Sequence, residues 1–294
     1  MNKKLSVTVL CISFFAIAAC GSHETTTAQF TVKNYSDSVA KKVQDVNGEL
    51  KISIDYPETG NEALLNGIRE WILDHADCNP TTDINSGDSI VRNYIKTHKE
   101  EMDRFTAAFA EMGSAQGYSN DIEIKKTFED DKWVTFNYTL YHYEGGAHGM
   151  MSASGTTFRK SDGKVFGYNM LDLTSREHIA KLIEQALAEE MGFDTVEELK
   201  SVLFLPEGAE TVPLPEADPY LDKDAMVFVY QQYEIGPYAM GMPTARIPLN
   251  KLDKYFSASF KRMKQSTIPS SYPPHRRLDT KKRLCRRTVS TLLF

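Results

Sequence analysis

Two imidazoles and a carboxylate fall close together in one stretch of the chain: His142, Glu144 and His148, with Gly145-Gly146 between them. This is the ligand set of a catalytic zinc that keeps one position open for water, so a metal-assisted hydrolase is one chemistry the residues permit. The alternative is structural: Gly145 and Gly146 supply a turn with positive φ, while Glu144 and His148 hydrogen-bond the loop backbone. The spacing is not that of a helical HExxH pair and carries little specificity. A second stretch presents Tyr233, Glu234 and Tyr238 on a loop stiffened by Gly236-Pro237 and Gly241-Met242-Pro243. Exposed, such tyrosines beside a carboxylate stack on a sugar or grip a peptide; buried, they lock the loop to a sheet. Tyr143, beside Glu144, is a further candidate ligand contact. Trp133, Tyr141 and Tyr143 alternate away from His142 and form either an aromatic platform or a face covered by a helix. No nucleophile elbow, Gly-rich phosphate loop, Cys-His pairing or close carboxylate pair stands out, and no cofactor is called for.

Strands and helices must position these residues. Leu50, Ile52, Ile54 and Tyr56 alternate with polar residues as a strand closed by Pro57. Thr59 with Glu62 predicts a capping box, and Leu64, Leu65, Ile68, Ile72 and Ala76 follow at helical spacing. A second helix opens near Asp88 and runs to Gly113, with Val91, Tyr94, Ile95, His98, Met102, Phe105, Phe109 and Met112 on one stripe. Strands are expected over 121–129, 132–144 and 151–160, with a Ser161-Asp162-Gly163 turn into 164–168. Thr174 or Ser175 caps a helix ended by Gly192, and Thr195 with Glu198 caps a shorter one. The last strands are 225–230 and 244–248, with a closing helix over 249–256. This order, with hairpin-length links between many strands, predicts an α+β fold: a mixed or largely antiparallel sheet covered by amphipathic helices.

The chain of 294 residues is 41% apolar, long enough to bury a core without covalent staples, and its four cysteines are too few for a disulfide scaffold. Lys3 and Lys4 precede an apolar run from Leu5 to Ala19 that is too short to span a bilayer comfortably and reads as a secretory signal. It ends in Ile17-Ala18-Ala19-Cys20-Gly21-Ser22, which resembles the lipobox of bacterial lipoproteins; the resemblance implies an acylated Cys20 as mature N-terminus and attachment to the membrane. Residues 20–45 then read as a lipid-anchored polar spacer. A bridge between Cys78 and Cys285 is not expected. Between the signal and residue 261 the chain carries 22 basic against 39 acidic residues, about −17, whereas residues 261–294 carry ten basic residues and one acid. The acidic body disfavours nucleic acid and suits cationic partners; residues 258–294 read as a basic, disordered tail.

Tyr143-Glu144-Gly145-Gly146-Ala147-His148-Gly149, Leu171-Asp172-Leu173 and Tyr233-Glu234-Ile235-Gly236-Pro237-Tyr238-Ala239-Met240-Gly241 together resemble the signature of the domain of unknown function 3298. That family includes the ectodomain of the lysozyme-sensing anti-sigma factor RsiV and part of a peptidoglycan deacetylase. Ile52 to Cys78 is similar to its usual companion, the domain of unknown function 4163, which divides the body into 46–115 and 116–257. The resemblance implies an RsiV ectodomain-like fold in the cell envelope that binds a lysozyme-like or other cationic protein, or cell-wall glycan. This chain lacks the sigma-binding segment, the transmembrane helix and the deacetylase domain of those relatives, so neither signalling nor deacetylation carries over.

Overall fold

The computed structural model describes residues 29–79 and 81–266. The expected targeting segment, Cys20, Cys285 and the basic residues from 267 onward lie outside the described residues, as does any Cys78–Cys285 bridge; among the described residues Cys78 has no disulfide partner and is half-buried. Among the described residues no helix is long and apolar enough to cross a membrane.

A six-stranded mixed sheet forms the centre, in sequential order β1 (Thr31–Val43), β2 (Val46–Thr59), β3 (Tyr118–Glu129), β4 (Trp133–Tyr143), β5 (Met150–Arg159) and β6 (Val165–Phe166). β2 and β3 are parallel because α1 (Glu62–His75) and α2 (Gly87–Glu111) intervene between them; every other pair is antiparallel. The fold is therefore α+β, as its sequence pattern requires.

Period-2 alternation puts Ile52, Ile54, Ile122, Ile124, Val134 and Phe136 on one face, where Leu64, Ile68 and Ile72 of α1 and Ile90, Val91 and Tyr94 of α2 cover them. The other face is partly covered by a second sheet, β7 (Tyr220–Asp222), β8 (Ala225–Val229) and β9 (Thr244–Pro248). Behind it lie α3 (Arg176–Met191) and α4 (Val196–Val202), followed in the chain by the short α5 (Leu249–Leu252) and α6 (Ala258–Gln265). Thr157 joins the two sheets, since its Oγ1 accepts the Leu221 amide at 2.9 Å and shares a 2.9 Å hydrogen bond with Thr135 Oγ1.

Several expectations are corrected. Much of the expected spacer is β1, whose Val32, Tyr35, Val39 and Val43 among polar residues suit an edge strand that needs only intermittent apolar contact; Gln44 at φ 53° turns it into β2, and Phe30 before it is buried in the core. The sheet also crosses the expected 115/116 boundary, because β2 and β3 are neighbours. Asn61, not Thr59, caps α1: its Oδ1 accepts from Ala63 and Leu64 amides, while Thr59 ends β2 and donates to the Gln29 carbonyl. The strand expected at 164–168 shrinks to two residues, β7 is an addition, and the helix over 249–256 becomes α5 and a 3₁₀ turn. The expected tail begins as helix: α6 buries Phe260 against Trp133 and Phe166, with Ser257 as its N-cap.

Candidate functional site

The turn leaving β4 and the loop after β8 meet at the end of the six-stranded sheet. Gly145 and Gly146 have φ of 81° and 93°, and a Cβ at Gly145 would strike the Phe109 ring at 2.6 Å, so this turn needs glycine. It delivers His148, whose ring stacks on Tyr238 with centroids 3.6 Å apart and planes 18° apart. His148 Nδ1 lies 3.1 Å from the Gly149 carbonyl and Nε2 lies 3.2 Å from the Tyr233 hydroxyl. A carbonyl only accepts, so Nδ1 carries the proton of the neutral ring and Nε2 accepts from Tyr233. Tyr233 is 49% exposed and has φ 67°, a left-handed backbone rare for a tyrosine. It is held there by the residues around it.

Glutamine and glutamate side chains fix the loop. Gln231 Nε2 donates to the Ala153 carbonyl at 2.7 Å and Gln231 Oε1 accepts the Ala153 amide at 3.1 Å. Gln232 Oε1 accepts the Met151 amide at 2.8 Å. These contacts satisfy the edge of β5 beyond its short pairing with β6. Glu234 accepts the Glu216 amide at 2.8 Å on Oε1 and the Gln231 amide at 2.7 Å on Oε2. Both oxygens engage backbone, so Glu234 shapes the loop instead of presenting a carboxylate to a ligand.

His142, Glu144 and His148 do not assemble a metal site. His142 Nε2 sits 3.2 Å from Glu144 Oε1, and its ring stands edge-on to Tyr118 at 5.9 Å, whereas His148 is engaged with Tyr233 and Tyr238. Among the described residues no group of three or more His, Cys, Asp or Glu could hold a metal ion. The reason lies in the turn: Gly145-Gly146 redirects the chain, and His148 is spent on the loop contributed some 85 residues later. Tyr143, half-buried, donates to the Gly146 carbonyl at 3.1 Å and so braces the turn. Of the aromatic set on the other strand face, Trp133 is buried against Phe166 and Phe260, while Tyr141 is exposed.

The Tyr141 ring lies against Gly149, where a Cβ would approach ring atoms to 2.5 Å. Met150 and Met151, also exposed, continue the surface along β5. The site is thus a fixed, outward-facing group of His148, Tyr233, Tyr238 and Tyr141. It has flat apolar rings and hydrogen-bonding rims but no nucleophile beside a base, so it suits binding. Sequence reasoning left out Gln231 and Gln232, whose role depends on which strand edge they reach. Below the site, His98 is buried on α2, with Nε2 3.6 Å from Asp77 Oδ2 and Nδ1 3.9 Å from Glu101. Burial lowers its pKa against the opposing pull of both carboxylates.

Residues 171–250 match the model of a family described as a protein of unknown function, DUF3298. A solved structure of a DUF3298 family member from Bacteroides fragilis is 19% identical, covering 77% of this chain and 94% of its own, with a TM-score of 0.62. A DUF3298 family protein from Pseudomonas aeruginosa is 15% identical, covering 79% and 96%, with a TM-score of 0.55. At these identities the likeness is one of fold. No curated protein matches the chain.

Proposed function

The chain belongs to the DUF3298 family, and from that premise we propose that it is a binding module of the bacterial cell envelope, anchored to the membrane through acylated Cys20, that captures a cationic protein. The observation that carries this reading is the pairing of an acidic body, about −17, with a preorganised aromatic group at its surface. The charge steers a basic partner and raises its rate of encounter; the fixed rings supply contact area at little cost in side-chain ordering. A lysozyme-like protein is the partner class suggested by the resemblance of the Tyr143–Gly149 and Tyr233–Gly241 segments to lysozyme-sensing ectodomains. Cell-wall glycan is the competing ligand, since the His148–Tyr238 stack also suits the apolar face of a sugar ring.

The test is calorimetric titration of the full mature chain in detergent with a lysozyme and, separately, with solubilised cell-wall glycan. Lysozyme should bind, and affinity should fall at least about tenfold as salt rises and the attraction is screened. Binding to glycan alone would transfer the function to the wall. An absence of binding to either would end this reading.

A further inference from the structure

The face of the six-stranded sheet turned away from α1 and α2 is only half covered by the second sheet. Its open half is a shallow groove of about 600 Å³. Strand register sets what lines it. Ser38 pairs with Lys51, Lys51 with Asp121, Asp121 with Tyr141 and Tyr141 with Met151, so these five residues form one row across β1 to β5. With strands about 4.8 Å apart, the row spans about 19 Å. Glu123 and Thr139 stand in the next row. The row passes through Tyr141, whose ring lies on Gly149, the neighbour of His148, so the groove runs into the aromatic site.

The row carries one cation, Lys51, and one anion, Asp121. Lys51, directly beside Asp121, turns its ammonium 2.7 Å from Glu49 Oε1 instead. Asp121 Oδ1 is shielded from solvent and has no hydrogen-bond partner among the described residues. A shielded carboxylate oxygen without a donor is unfavourable, and a donor arriving with a ligand relieves it. Glu123 adds a further carboxylate to the groove, 3.6 Å from the Lys125 ammonium. Across the strand pair, Asp121 and Tyr141 lie side by side on the same face, their Cβ atoms about 5 Å apart. A carboxylate next to an exposed ring that is held in place is a socket for a compact cation: the oxygen accepts its N–H groups while the ring face attracts its charge.

We infer that Asp121 and Tyr141 form a socket for a primary ammonium group, the side chain of a lysine projecting from a bound cationic protein. The inference rests on the cationic-partner reading and deepens it by naming the atoms that select the partner. The groove is open along the row, so a lysine on an extended segment reaches Asp121 while its neighbours pass over Thr139 and Ser53.

Titration of the full chain in detergent with tetralysine, and with tetralysine acetylated on every side chain, tests it. The free peptide should bind and the acetylated one should not. Asp121→Asn and Tyr141→Ala should each weaken binding about tenfold, a step of about 1.4 kcal/mol. Glu207→Gln removes the same unit of charge from an exposed loop outside the groove and should change affinity less than twofold. Lys51→Ala should tighten binding or leave it unchanged. Circular dichroism melting confirms that Asp121→Asn is folded, as expected for a variant that keeps the shape of a part-buried carboxylate with one unpaired oxygen. Equal weakening by Glu207→Gln and Asp121→Asn would overturn the socket while leaving steering by the body intact. Equal binding of acetylated and free peptide would exclude ammonium recognition. If neither tetralysine nor a lysozyme binds, both the socket and the cationic-partner reading fall.

Discussion

Gln231 holds Ala153 as a neighbouring strand would: its amide group donates to the Ala153 carbonyl at 2.7 Å and accepts the Ala153 amide at 3.1 Å. One side chain thereby closes two backbone groups on the edge of β5 and anchors the loop that carries Tyr233 and Tyr238. Replacing Gln231 with Ala should cost about 1–2 kcal/mol and release that loop. Hydrogen exchange provides the check: amides of Met151 and Ala153 should lose protection while those of β2 and β3 keep theirs. Unchanged protection at Ala153 would show that the loop is held by Glu234 alone.

Tyr233 occupies a left-handed backbone at φ 67°. Tyr233→Gly should relieve this strain and raise stability by up to about 1 kcal/mol. Tyr233→Phe keeps the strain and loses only the hydroxyl bond to His148. Urea midpoints distinguish the two, and the Gly variant should be the more stable of the pair despite its smaller side chain. Both variants should bind the cationic partner less well than the parent, the Gly variant by more.

The two sheets meet where Tyr220 rests on Gly155. A Cβ at Gly155 would come within 2.4 Å of the Tyr220 ring, so Gly155→Ala forces β7 away from β5. The expected loss is about 1–3 kcal/mol in chemical denaturation. Gly146→Ala is the control for glycine removal without a clash, since a Cβ there meets nothing within 4 Å; its φ of 93° leaves only the backbone cost.

Stability should fall as pH drops below the ordinary histidine range. Burial lowers the pKa of His98 below 6.5, and that of His75 likewise, so the folded protein keeps both rings neutral where the unfolded chain takes up protons. The unfolded state then binds more protons, and the stability of the fold declines as pH falls through 6.5. Above that value the effect vanishes. Melting temperatures of the parent and of a His75→Gln, His98→Gln double variant should be compared at about pH 7.5 and pH 5.5. The variant should lose less between the two; an equal loss would assign the decline to other groups.

The elements were legible where one face is buried. Leu50 to Tyr56, the α2 stripe through Tyr94 and Met102, and the Thr195–Glu198 cap all follow from local periodicity or capping chemistry, although β2 runs on through Pro57, expected to close it, to Thr59. β1 was not legible because an edge strand is half solvated and its Thr, Ser and Lys residues read as a linker. The site was legible in its parts and not in its assembly. Tyr143–Gly149 and Tyr233–Gly241 are both visible as unusual segments, but the hydrogen bond between Tyr233 and His148 has no local signal. The same is true of the Lys51–Asp121–Tyr141 row, which exists only once three strands take their register. Grouping His142 with His148 by proximity in sequence gave a metal set that the turn at Gly145-Gly146 separates.

The burial of Phe30 at the head of β1 sets a short leash on the whole body. If Cys20 is the lipid-bearing residue, only eight residues lie between it and Gln29, where the described chain begins. Fully stretched, they reach about 30 Å. The folded body would then lie within about that distance of its lipid anchor. A partner would then have to come within that distance of the membrane to meet it.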